Sequence, residues 1–130
     1  MILASSTLEW VELAEHDYLT AQTLLTVSKV PFEIVAYHCQ QGAEKYLKAV
    51  LIQNGLPVPF VHDLRKLNRL AQGAHPGLRD IEAICELLTP FGTATRYPGS
   101  VMTVGPEHMS SVLGWAESIR QFVRNAFGLK

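Results

Sequence analysis

The sequence predicts an all-α protein: an up-and-down antiparallel bundle of about five helices, folded as one domain over residues 1–130. Three observations predict it. Apolar residues recur at three-and-four spacing through most of the chain, the period of a helix face turned toward a core. No stretch of useful length alternates apolar and polar residues as a strand would, and no internal repeat is present. The breaks between periodic segments are short and rich in Pro and Gly, as suits helices that pack against their chain neighbours. Composition agrees, since 130 residues at 48% hydrophobic and 18% charged can bury a core and are too apolar for disorder.

After a lead-in from Met1 to Ser5, Ser6 with Glu9 three positions on matches a capping box and starts the first helix. Val11, Ala14, Tyr18, Ala21 and Leu25 trace its inner face, flanked by Trp10 and Leu24, and it is predicted to end around Ser28, ahead of Val30-Pro31. The second helix is the longest. It runs from Phe32 to about Asn54, with Phe32, Val35, Ala36, Cys39, Ala43, Tyr46, Leu47 and Val50 inward. Asn54-Gly55 stops it, and Pro57 and Pro59 stiffen the connection that follows. A third helix spans about His62 to Ala71, capped by His62 or Asp63, with Leu64, Leu67 and Leu70 inward and Arg65, Lys66 and Arg69 as a basic, solvated cluster. A fourth runs from about Leu78 to Leu88, burying Ile81, Ile84, Cys85 and Leu88, before Pro90. Phe91 to Gly105 lacks helical periodicity, and loops of that length in compact domains often carry function. Pro106 and Glu107 then open the fifth helix, whose inner face is Met109, Val112, Leu113, Ala116, Ile119, Val123 and Ala126, with Arg120 and Arg124 one turn apart outside it.

A net charge of −1 gives no global basic field, so any polyanion site must be a local patch. Cys39 and Cys85 read as small buried hydrophobes with free thiols, and no paired Cys/His spacing indicates zinc. No signal-like leader and no run of membrane-spanning length appears, so the expectation is a cytoplasmic protein with no membrane contact and no cofactor.

The candidate chemistry lies on a second stripe of the long helix, nearly opposite its apolar face. His38, Gln41, Lys45 and Lys48 share that stripe, with Glu44 beside them; His62 and Asp63 follow one loop later, and Arg96 and Tyr97 lie in the 91–105 loop. Lys and Arg suit phosphate, and Tyr can stack on a base, so these residues fit a nucleotide or RNA ligand. The same residues equally fit an internal polar network tying the loop to the bundle, with Glu44 or Asp63 pairing with Lys45 or Arg96. A polar stripe inside a dimer interface is a third reading.

The run His38-Cys39-Gln40-Gln41-Gly42-Ala43-Glu44-Lys45-Tyr46-Leu47-Lys48-Ala49, then His62-Asp63-Leu64, resembles the HEPN domain family. Asp17 with Leu24-Leu25, and Arg96-Tyr97-Pro98, extend the resemblance over most of the chain. It implies a helical bundle, a homodimer, a nucleotide or RNA ligand, and a minimal nucleotidyltransferase as partner in a pair of toxin–antitoxin type. It also makes Asp17 a partner for Lys45 or Lys48, against the plainer reading of a solvated carboxylate. Ribonucleases of this family carry an Arg, four to six residues, then a His near the start of the last helix. Here Arg96 and His108 are separated by eleven residues. Arg69 and His75 have five between them but lie at the end of the third helix. That motif does not carry over, so an enzyme is not the leading expectation. The alternatives are a metal-independent ribonuclease using His62, His75 or His108, and a dimeric scaffold anchored by Trp10 and Trp115.

Overall fold

The structure, a computed structural model, describes residues 1–93 and 102–130. Five α-helices are found among them: α1 (Ser5–Leu24), α2 (Phe32–Gln53), α3 (Leu64–Ala71), α4 (Glu82–Leu88) and α5 (Met109–Ala126). Short 3₁₀ turns lead into α4 at Pro76–Ile81, leave it at Thr89–Gly92, and open α5 at Pro106–His108. There is no strand among the described residues. The predicted bundle is therefore the observed one.

Side-chain bonds fix the directions. Gln53 meets Ala4 and Thr7, and Lys45 and His38 meet Asp17, so α1 and α2 run antiparallel. Tyr18 reaches Ala116 and Glu15 reaches Arg120, which sets α5 antiparallel to α1. Arg65 meets Glu86, and Arg69 and Gln72 meet Glu82, pairing α3 with α4 in the same manner. The connection from 54 to 63 doubles back along α2, because Gln40 Nε2 donates to the His62 carbonyl at 2.9 Å. So α3 starts beside the middle of α2, and Leu51 and Leu70 come to line one hollow.

Several local expectations give way to tertiary partners. Ser6 and Glu9 form no capping box, since Ala4 is the cap residue and makes no side-chain bond. Gln53 supplies the bond from across the bundle: its Oε1 accepts from Ala4 N at 3.0 Å and Thr7 Oγ1 at 2.8 Å. Helix α1 ends at Leu24 rather than Ser28, where Thr26 bonds the Thr23 carbonyl through both its amide and its hydroxyl and offers the backbone a turn instead. Leu70 faces outward, 46% exposed, because the inward positions of α3 go to Leu64, Leu67, Asn68 and Ala71. Helix α2 ends as predicted. Gly55 takes φ +67°, while Leu56 N and Gly55 N bond the carbonyls of Leu51 and Ile52, the Schellman arrangement that only a residue tolerant of positive φ enters easily.

The core gathers the inward faces of all five helices around α2, where Tyr46, Leu47 and Leu51 are fully buried with Leu64, Leu67, Leu78, Leu88 and Ile119. Among the described residues no helix is long and apolar enough to cross a membrane.

Candidate functional site

Helix α2 is buried on more than its apolar face. Gln40, Glu44 and Lys48 are all below one-tenth exposed, and so is Asp17 on the facing side of α1. Charges taken that far from water must be paired. Asp17 Oδ1 meets His38 Nδ1 at 2.8 Å, and Asp17 Oδ2 accepts from Lys45 Nζ at 2.5 Å. Glu44 repeats the pattern one turn along. Its Oε1 meets His62 Nδ1 at 3.0 Å, and its Oε2 accepts from Lys48 Nζ at 3.0 Å. Each carboxylate thus holds one ammonium and one imidazole. An ionised carboxylate only accepts, so Nδ1 carries a proton in both rings.

The two groups differ in access. The His62 side chain is 59% exposed, whereas that of His38 is 24% exposed and meets the Tyr37 ring edge-on. Gln41 Nε2 donates to Gln40 Oε1 at 2.9 Å, and Gln40 in turn holds the His62 backbone. A continuous set of bonds therefore runs from Gln41 to the start of α3. Asp63 lies next to His62 but turns away from the stripe: its Oδ1 accepts from the amides of Arg65 and Lys66 at 3.0 and 3.2 Å, capping α3. Of the residues singled out in the sequence, the fold brings His38, Gln41, Glu44, Lys45, Lys48 and His62 onto or against α2. Arg96 and Tyr97 lie outside the described residues.

A second polar network has no counterpart in the sequence reading. Arg120 grips Glu15 with two bonds, Nε to Oε2 at 2.8 Å and Nη2 to Oε1 at 3.0 Å. Tyr46 donates its hydroxyl to Glu15 and accepts from Arg124 at 3.1 Å. Burial alone pushes the Glu15 carboxyl up, but the bonds from Arg120 and Tyr46 outweigh it and hold it below the usual carboxylate range. This network locks α1, α2 and α5 together. Burial drives both thiols, Cys39 and Cys85, up to about 12, so they stay protonated and unreactive at neutral pH.

The family model described as HEPN domain matches residues 7–126, nearly the whole chain. The chain belongs to the HEPN domain family. No curated protein and no solved structure matches it. Of the arginines and histidines weighed in the sequence for a ribonuclease pair, Arg69, His75 and His108 lie among the described residues and Arg96 does not. Arg69 pairs with Glu82 at 3.3 Å on the surface. His108 Nδ1 accepts from Gly105 N at 3.0 Å, so its imidazole braces the entry to α5. His75 lies in the break after α3, its amide on the Ala71 carbonyl.

Proposed function

We propose that this HEPN-domain chain is a binding module for a nucleotide or RNA, acting in the cytoplasm as a homodimer beside a minimal nucleotidyltransferase in a pair of toxin–antitoxin type. The observation that carries the reading is the repeated carboxylate–ammonium–imidazole group on α2, built on Asp17 and Glu44. Buried carboxylates hold the side chains of Lys45, Lys48, His38 and His62 in place before any ligand arrives, so little conformational entropy is lost on binding. Each ammonium is offset by the carboxylate that it meets. The added positive charge for a phosphate then falls to Arg96, with Tyr97 supplying a ring on which a base stacks. The family membership supports the same reading.

The variant that tests it is Arg96→Ala combined with Lys45→Gln, which removes the Lys45 charge but leaves an N–H donor for Asp17. Binding of ATP, GTP or a short RNA, followed by heat release, is expected to weaken about tenfold or more, with helix content nearly unchanged. Unaltered affinity in the double variant, or no binding by the parent at millimolar ligand, overturns the reading.

A second reading is favoured by one observation. The half-exposed His62 ring is oriented by a buried carboxylate, the arrangement a general base or acid uses. It predicts RNA cleavage in the presence of chelator that His62→Gln abolishes. Intact RNA after prolonged incubation, with no growth arrest on expression, removes it.

A further inference from the structure

Lys48 is an ammonium nine-tenths withdrawn from water that also lines an open hollow. Its side chain is 10% exposed, and among the described residues it has one acceptor, Glu44 Oε2. An ammonium carries three N–H donors, so Lys48 has hydrogen-bonding capacity left over in a place where such capacity is costly to leave unused. Trp10, Val58, Pro59 and Phe60 form the rest of the hollow, about 320 Å³ in volume, within the roughly 300–1,000 Å³ typical of small-molecule sites. The Lys48 nitrogen is 6.0 Å from the Trp10 ring centroid, so the cation lies against one aromatic wall.

The other aromatic wall is unusual for its exposure. Phe60 is fully exposed, on a segment where Pro57 and Pro59 restrict the backbone. A ring held out in water by a stiff loop, lining one hollow with Trp10 and Lys48, exposes apolar surface that a flat ligand could cover. The chemistry of the walls selects the ligand. Two aromatic side chains and a proline accept a planar ring, and the spare donors of Lys48 accept an anionic or strongly hydrogen-bonding edge. Glu44 ties this lysine to His62, so the hollow adjoins the polar stripe.

We infer that the Trp10–Phe60 hollow is a binding site for a small planar aromatic anion, its ring lodged between Trp10 and Phe60 and its negative edge on Lys48. This rests on the nucleotide reading and deepens it by lodging the base in this hollow instead of on Tyr97, with the phosphate as the negative edge on Lys48. It also admits a free aromatic carboxylate as the occupant.

Trp10 reports occupancy directly. The full chain carrying Trp115→Phe keeps Trp10 as its one tryptophan, so its fluorescence can be followed while AMP, benzoate or inorganic phosphate is added. AMP or benzoate is expected to change the Trp10 emission saturably, and phosphate alone is not. Phe60→Ser touches a residue with no buried surface, so the fold is kept, and it is expected to weaken binding by roughly tenfold, in the range of one lost aromatic stack. A change with benzoate and not AMP keeps the site and removes the nucleotide as its occupant. AMP binding detected by heat release, with no Trp10 response and full affinity in Phe60→Ser, overturns the site and leaves the nucleotide reading standing. No response to either aromatic anion at millimolar concentration overturns the site, and the heat-release titration then decides the nucleotide reading separately.

Discussion

Replacing Glu44 by alanine is expected to destabilise the protein by about 3–5 kcal/mol, the range for removing one partner of a buried ion pair. Glu44 is 4% exposed and is the acceptor for both Lys48 Nζ and His62 Nδ1. Without it the Lys48 ammonium remains in its buried position with its described acceptor gone, and the desolvation cost of that charge is no longer offset. The His62 contact, which helps hold the returning 54–63 segment against α2, goes with it. Urea unfolding of the single variant measures the loss. The double variant Glu44→Ala with Lys48→Met checks the cause, because removing both charges is expected to restore much of the stability. A single-variant loss below about 1 kcal/mol would mean the pair behaves like an exposed one.

Gly42→Ala is the second large effect, and its sign runs against helix propensity. Alanine in an open helix position is worth up to about 1 kcal/mol over glycine. At Gly42, however, a β-carbon would lie 2.7 and 2.9 Å from the Tyr18 ring carbons and 3.3 Å from the Ala14 carbonyl oxygen. The ring cannot simply swing aside. Its hydroxyl donates to the Ala116 carbonyl at 2.7 Å, and Arg120 lies 5.9 Å from its centroid. The α1–α2 contact has to open instead, and overpacking of that kind costs about 1–3 kcal/mol. Gly114 in α5 is the control: a β-carbon there meets nothing within 4 Å, so Gly114→Ala is expected to be neutral or slightly stabilising. If both variants gain stability, the close approach at Gly42 is not what the contacts imply.

The helices and the polar stripe were legible because their signals are local. Periodicity marks α2 over twenty-two residues, and His38, Gln41, Lys45 and Lys48 fall on one side of it by helical geometry alone. The Asp17–Lys45 pair was available as one of two options, since the resemblance pointed from α1 to those lysines. What escaped is what long-range contact decides. Glu15 and Arg120 are 105 positions apart, and neither carries a local pattern that points to the other. Trp10 and Phe60 become neighbours only because the 54–63 segment returns along α2. Gln40 looked like one polar residue among several, yet it is fully buried, and a β-carbon on Gly92 would lie 2.4 Å from its amide. The Ser6–Glu9 pattern had the correct spacing and lost to Gln53, a competitor from another helix that a local rule cannot see.

The central claim is that ligand meets this HEPN domain on the α2 stripe, and the ring signals of its histidines test it most directly. His16, His38, His62, His75 and His108 are spread over the fold, so nitrogen-15 NMR of the imidazoles reports on five places at once. Addition of ATP is expected to shift His38 and His62, whose rings rest on Asp17 and Glu44, and to leave His16 and His75 where they are. Shifts confined to the other histidines, or no shift at saturating ligand, would contradict the claim and leave the two carboxylate groups as internal supports of the bundle.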